Sequence, residues 1–308
     1  MEIALQFVLL ALGFVMLGKG ADWFVEGAAG IAMRFGIPQL VIGLTIVAMG
    51  TSAPEAAVSI AAAVKGNADI TIGNIVGSNI LNILVILGLA ASIVPIAVAR
   101  STVRIEMPFM IAITALLFYQ GRDGSISLAD GGVLMVAFAV YMMYLYIMAM
   151  KSNVDSDLEE PGLPLGRCLL GAVGGLALII AGSNVTVGAA TSIATYAGLS
   201  ERFIGLTIVA LGTSLPELFT SVAAARRGNA DIAIGNIVGS NIFNILFVVG
   251  LSSLIIDIPF ASAFNFDTYV ALGAAVLLWL CVLRTQRLQR WAGALMLVCY
   301  AAYLGYIL

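Results

Sequence analysis

Residues 43–83, GLTIVAMGTSAPEAAVSIAAAVKGNADITIGNIVGSNILNI, return at 205–245 as GLTIVALGTSLPELFTSVAAARRGNADIAIGNIVGSNIFNI. Thirty-one of the forty-one positions are identical at a constant offset of 162 residues, with no insertion, so the chain carries an internal repeat. In each copy one apolar segment is broken by Gly-Thr-Ser-x-Pro-Glu (Gly50 to Glu55, Gly212 to Glu217). A second is broken by Gly-Ser-Asn-Ile-x-Asn (Gly77 to Asn82, Gly239 to Asn244). Any fold must bury these apolar segments while giving the polar breaks something to face.

That requirement places the chain in a membrane. Of 308 residues 61% are hydrophobic and only 10% charged, with a mean hydropathy of +1.08, which is too apolar for one water-soluble core. A span needs roughly 20 mainly apolar residues, and the chain divides into about ten with little left over. Runs this long are helices rather than the short alternating strands of a membrane barrel. The expected spans are Ile3 to Arg34, Leu40 to Val64, Ile70 to Ile96, Met107 to Phe118, Gly131 to Met150, Arg167 to Ala197, the two spans of the second copy, Tyr269 to Leu283 and Trp291 to Leu308. In the first, Lys19, Asp22 and Glu26 are spaced to pair along one helical face. The apolar N-terminus lacks a basic region and a cleavage site and reads as this first span, not a leader.

Lys151 to Gly166, KSNVDSDLEEPGLPLG, is the one sizeable polar segment and reads as a linker between halves, 1–150 and 167–308. Its Asp155, Asp157, Glu159 and Glu160 lack the spacing and glycine of a calcium-binding loop. Weaker similarity extends the repeat upstream, since Gly20, Val25, Ile31, Ala32 and Gly36 match Gly182, Val187, Ile193, Ala194 and Gly198. The unit is therefore five spans. Five is odd, so the second unit must enter the membrane from the opposite side. The expected fold is an all-α membrane protein of about ten transmembrane helices in two five-helix inverted-topology repeats. With both termini outside, inner loops hold Arg34, Arg100, Arg104, Lys151, Arg167, Arg226, Arg227, Arg284, Arg287 and Arg290, and outer loops only Lys65, Arg122 and Arg202. That bias fixes the orientation as N-out and C-out.

Glu55 and Glu217 stand in the middle of apolar spans, where a carboxylate costs about 2.5–3.5 kcal/mol. Two such groups at equivalent places repel unless something cationic lies between them. The proline before each cannot donate a backbone hydrogen bond, so carbonyls of Ala48, Thr51, Ala210 and Thr213 are expected to leave the helix ladder and turn toward one cavity. The hydroxyls of Ser52, Ser214, Ser78 and Ser240 and the amides of Asn82 and Asn244 complete an inventory that is all oxygen. Such donors select hard cations, calcium or sodium, over transition metals. Small-residue helix packing competes as an explanation for Ser78, Ser240, Gly77 and Gly239. Lys65-Gly-Asn-Ala-Asp69 and Arg227-Gly-Asn-Ala-Asp231 read as a helix stop followed by an aspartate N-cap.

The two copies of Gly-Thr-Ser-x-Pro-Glu and Gly-Asn-Ile-Val-Gly-Ser-Asn-Ile-x-Asn resemble the alpha-repeats of the sodium/calcium exchangers within the cation/calcium exchanger superfamily. The resemblance implies a secondary-active antiporter exchanging sodium for calcium by alternating access. It implies that Glu55 and Glu217, with the backbone oxygens of Thr51 and Thr213, hold calcium. Flanking sodium sites would draw on Ala48, Ser52 and Ser240 on one side and Ala210, Ser214 and Ser78 on the other. Asn82 and Asn244 would face the centre, and spans one and six would slide as a pair. Sodium-coupled relatives often carry Asp where this chain has Asn244, which leaves a calcium/proton or other cation antiporter as the alternative. The large cytosolic regulatory insertion of animal exchangers is absent from the short linker.

Other classes find little support. Histidine is absent and the three cysteines, Cys168, Cys281 and Cys299, lie in apolar spans without ligand spacing, so no zinc site, disulfide or cofactor is expected. An intramembrane hydrolase using the two glutamates as an acid pair lacks any further polar cluster to activate water. The net charge of −3 includes no basic cluster for nucleic acid. The expected partners are calcium, sodium and the bilayer, and the expected setting is a prokaryotic plasma (inner) membrane.

Overall fold

The computed structural model describes residues 2–66, 68–152, 163–198 and 210–307. Most of the linker, including Asp155, Asp157, Glu159 and Glu160, lies outside them. So does the opening of the second repeat copy, with Arg202 and Gly205, and so does Leu308.

The described chain is almost entirely helical. In order, it comprises α1 (Glu2–Phe35), α2 (Gln39–Thr51), α3 (Ala53–Val64), α4 (Asp69–Ile93), α5 (Thr102–Asp123) and α6 (Leu128–Ser152). The second half supplies α7 (Leu165–Tyr196), α8 (Ala210–Thr213), α9 (Leu215–Arg226), α10 (Ala230–Ile255), α11 (Ala263–Leu283) and α12 (Arg290–Ile307). Among the described residues eight helices are long and apolar enough to cross a membrane, and α2 with α3, bent by 51° between them, makes a ninth. The protein is an integral membrane protein.

The layers follow from burial. α4 and α10 are the most deeply enclosed helices, and α10 packs on both α2 and α9. α1 and α7 run antiparallel in contact along their length. Glycines set their closeness. A methyl on Gly20 would sit 2.9 Å from the Gly175 carbonyl oxygen, one on Gly27 2.4 Å from the Ala172 nitrogen, and one on Gly13 2.9 Å from the Thr186 nitrogen. Small residues let two backbones approach where lipid gives no hydrophobic drive for association.

Four two-residue strands tie the halves together: β1 (Ile96–Ala97), β2 (Ser125–Ile126), β3 (Ile258–Pro259) and β4 (Arg287–Leu288). β1 pairs antiparallel with β4, Ile96 opposite Leu288, and β2 with β3, Ile126 opposite Ile258. Each register maps onto the other under the same 162-residue offset, so the repeat's symmetry reaches well beyond the 41-residue motif.

Several local expectations are corrected. α5 starts at Thr102 rather than Met107, because its first turn is a π-helical segment, Thr102–Glu106, in which the buried Glu106 accepts a hydrogen bond from the Tyr144 hydroxyl. Asp22 and Glu26 do not pair with Lys19. Arg227, at the end of α9, reaches both at 3.2 Å, because its fork can serve two carboxylates one helical turn apart. The glycine stops hold, with Gly66 at φ +77° and Gly228 at φ +80°. The aspartate caps do not. α10 is preceded by Asn229 as N-cap, which puts Asp231 inside its first turn, and the cap before Asp69 is Ala68.

Candidate functional site

Each glutamate owes its position to a broken helix. Pro54 and Pro216 have no N–H for the carbonyls of Gly50 and Gly212 four residues earlier, and the chain turns at Ser52 (φ −82°, ψ 7°) and Ser214 (φ −89°, ψ 1°). Glu55 and Glu217 then sit in the first turns of α3 and α9, at the favourable end of the helix dipole, and both are buried. The expected release of Ala48 is corrected here. Its carbonyl keeps the Ser52 N–H at 3.0 Å, inside the ladder, and it also accepts the Thr51 and Ser240 hydroxyls at 3.3 Å each. The carbonyls that proline strands are those of Gly50 and Gly212, and the second is taken by the Ser183 hydroxyl of α7 at 2.7 Å.

The contacts between the copies are crossed. Ser52 donates to Glu217 Oε1 at 2.8 Å, and Ser214 donates to Glu55 Oε1 at 3.5 Å. Thr51 and Thr213 stand one residue before these serines, at the ends of the helical stretches that the breaks close. The two glutamates are near enough to repel each other. Behind them, Asn74 donates to the Glu55 carbonyl (3.2 Å) and Ser59 (2.9 Å). Asn236 does the same for the Glu217 carbonyl (3.4 Å) and Ser221 (2.9 Å), and its own oxygen receives Thr51 (2.9 Å).

On the central helices, Asn79 and Asn241 donate to each other's backbone carbonyl, both at 3.2 Å. Their side-chain oxygens in turn take the amide groups of Asn244 (3.1 Å) and Asn82 (2.9 Å). Asn82 and Asn244 each open a π-helical segment, Asn82–Leu87 and Asn244–Val249. Such bulges in helices recur at functional sites. The segment beginning at Asn82 packs against α9, which carries Glu217, and that beginning at Asn244 packs against α3, which carries Glu55.

With the amides of Asn82 and Asn244 donating to Asn241 and Asn79, four acceptors are left at this centre. Glu55 Oε2, Glu217 Oε2, Asn82 Oδ1 and Asn244 Oδ1 are buried and have no hydrogen-bond partner among the described residues. Among the described residues no cluster of three or more acidic, histidine or cysteine side chains is fit to hold a metal, so the two glutamates would need neutral oxygens beside them to hold a cation. Four unpartnered buried acceptors with two formal negative charges suit a cation and disfavour an anion.

Of the residues singled out in the sequence, this geometry joins Glu55, Glu217, Thr51, Thr213, Ser52, Ser214, Asn82 and Asn244 around one centre, with Ser240 and the Ala48 carbonyl on one flank. Ser78 is buried on α4, which packs on Ala210–Thr213 at the start of α8, and the residues before Ala210 lie outside those described. Sequence reasoning missed Asn74, Asn79, Asn236 and Asn241. They stood in the quoted motif and are identical between copies, which was the available signal.

The reciprocal Asn79 and Asn241 pair gives a stability test. Replacing Asn241 with Leu orphans the Asn82 amide, at about 1–3 kcal/mol, and takes from the Asn79 carbonyl its side-chain donor while leaving it the Asn82 backbone N–H. Asn79→Leu should act alike by stranding the Asn244 amide, and because the two variants break separate bonds the double variant should cost about the sum of the singles. Thermal unfolding of the four forms in detergent measures this.

The family profile described as sodium/calcium exchanger protein matches residues 5–147 and 168–308. The inner membrane protein YrbG of Escherichia coli strain K12 is 40% identical over 260 residues, covering 80% of this chain and 79% of that protein. The sodium/calcium exchanger MaX1 of Methanosarcina acetivorans is 33% identical over 344 aligned positions, covering 98% of each chain. A solved structure of the sodium-calcium exchanger NCX_Mj, soaked with 2.5 mM Na+ and 10 mM Sr2+, superposes with a TM-score of 0.86 at 34% identity, covering 98% of this chain and 99% of that one. With the profile spanning both halves and full-length relatives on each side of it, this chain belongs to the sodium/calcium exchanger family of membrane antiporters.

Proposed function

We propose that the protein exchanges sodium for calcium across a prokaryotic plasma membrane by alternating access, with Glu55 and Glu217 shared by the two ions. The observation that carries this reading is the set of four unpartnered acceptor oxygens between the repeat copies. Two carboxylates balance a dication. The amide oxygens of Asn82 and Asn244 and the backbone oxygens of Thr51 and Thr213 bring the ligand number toward the 6–8 that calcium takes. The contact between Ser240 and the Ala48 carbonyl supports a flanking sodium site there with Ser52. Its counterpart would be Ser78, Ser214 and the Ala210 carbonyl.

The reading includes a topology: ten spans in two inverted five-helix units, 1–150 and 167–308, joined by a cytosolic linker, with both termini outside. The symmetric β1–β4 and β2–β3 pairings support it, since under that topology each pair falls on a single side of the membrane. α1 and α7 would slide together past the core and open the site to each side in turn.

Calcium uptake into sealed vesicles should follow an outward sodium gradient and be competed by external sodium. If three sodium ions exchange for one calcium, each cycle moves one net charge, and imposed voltage should bias the exchange by about 2.3 kcal/mol per 100 mV. Sodium-driven uptake that ignores voltage would reject that stoichiometry. Uptake that follows a pH gradient and is indifferent to sodium would favour the calcium/proton alternative.

A further inference from the structure

A groove of about 540 Å³ lies between α1 and α9, away from the glutamate centre. One part is apolar, lined by Phe14, Val15, Phe219 and Val222. The other carries Lys19, Arg226 and Arg227 with Asp22. Arg227 is committed to Asp22 and Glu26. Lys19 and Arg226 are exposed and form no ion pair among the described residues, and with Arg227 they set three cations against the two carboxylates of Asp22 and Glu26, so one end of the apolar channel carries a net positive charge.

The transport fold does not require these charges. At the 162-residue offset, Lys19, Asp22 and Glu26 correspond to Ala181, Asn184 and Gly188, and Arg226 corresponds to Val64. Phe14 and Phe219 correspond to Leu176 and Ala57. The ion site keeps its residues in both copies, whereas Lys19, Asp22, Glu26 and Arg226 stand in one only. A feature that breaks the repeat's symmetry serves something that the two halves do not share.

We propose that this groove binds one anionic phospholipid, its phosphate held by Lys19 and Arg226 and an acyl chain lying along Phe14, Val15, Phe219 and Val222. Basic pockets between membrane helices take such headgroups, and the surrounding bilayer supplies the chain. A zwitterionic headgroup fits less well, because its own cation would crowd Lys19 and Arg226. The lipid would bridge the long helix α1 and α9, the helix whose first turn carries Glu217.

The test reads lipid retention and does not depend on which ions the protein moves. Protein from vesicles of phosphatidylglycerol and phosphatidylcholine is extracted gently and weighed by native mass spectrometry. Wild type should keep one phosphatidylglycerol. Lys19→Gln and Arg226→Gln should each lower its retention roughly fivefold, and the charge-keeping pair Lys19→Arg and Arg226→Lys should restore it. Both sites are exposed, so the glutamine variants should melt as wild type does. A variant that unfolds hands the decision to the charge-keeping pair and to the lipid comparison in wild type. Equal retention of phosphatidylcholine, or no loss in the glutamine variants, overturns the proposal. Displacement by soluble glycerophosphoglycerol at matched concentration also overturns it, because the headgroup alone would then be the ligand and the apolar channel idle.

Discussion

Glu55→Gln and Glu217→Gln should each reduce calcium uptake to the level of empty vesicles while leaving a folded protein. Glutamine keeps the shape and the oxygen that accepts Ser214 or Ser52, so what is lost is half of the charge opposite the dication. In the ion-free state each variant should be at least as heat-stable as the parent. Two buried carboxylates without a cation repel, and removing one charge relieves that repulsion along with a desolvation cost. Uptake by reconstituted protein and unfolding in chelator-treated detergent are the two measurements. Near-normal flux in either variant would sink the ligand assignment, and marked unfolding would mean that the glutamates hold the fold rather than the ion.

Gly27→Ala should destabilise the protein sharply, whereas Gly18→Ala on the same helix should be neutral or mildly stabilising. The added methyl at Gly27 meets the Ala172 nitrogen at 2.4 Å and the Cys168 oxygen at 2.5 Å. Both are backbone atoms, so α1 and α7 must part. Overpacking of this kind costs about 1–3 kcal/mol and more where no side chain can give way. At Gly18 nothing lies within 4 Å, and alanine gains up to about 1 kcal/mol of helix propensity. Melting midpoints of the two variants, with calcium flux alongside, check the contrast. Equal effects would show that contact along α1 and α7 is not close-packed.

The buried glutamates and the helix breaks were legible because a repeat makes every functional position appear twice. Glu55 in an apolar span is odd, and Glu217 at the same place in a second copy removes coincidence. The asparagine lattice was harder. Asn79 and Asn241 lie in helices buried over most of their length, and which face meets which partner depends on how α4 and α10 cross, something no local pattern encodes. The reading of Lys19, Asp22 and Glu26 as a self-sufficient face failed likewise. Helical spacing reports which residues could pair, and Arg227 competes from two hundred residues away with a better fork. The aspartates at 69 and 231 misled because a good capping residue beside a glycine stop is a local preference, and the helix simply began one residue or more earlier. The short strands β1 to β4 gave no periodic signal at two residues each.

Three glycines pressed against the α7 backbone stand at positions 13, 20 and 27, seven residues apart. A single inserted residue between any two would rotate the remainder of α1 by about 100° and point a side chain into the α7 backbone. Through this stretch the helix can lengthen or shorten only in whole sevens. Natural variants of this chain should therefore collect their insertions and deletions in the linker and hairpin loops, while the spacing from Gly13 to Gly27 stays fixed even where the residues between them drift.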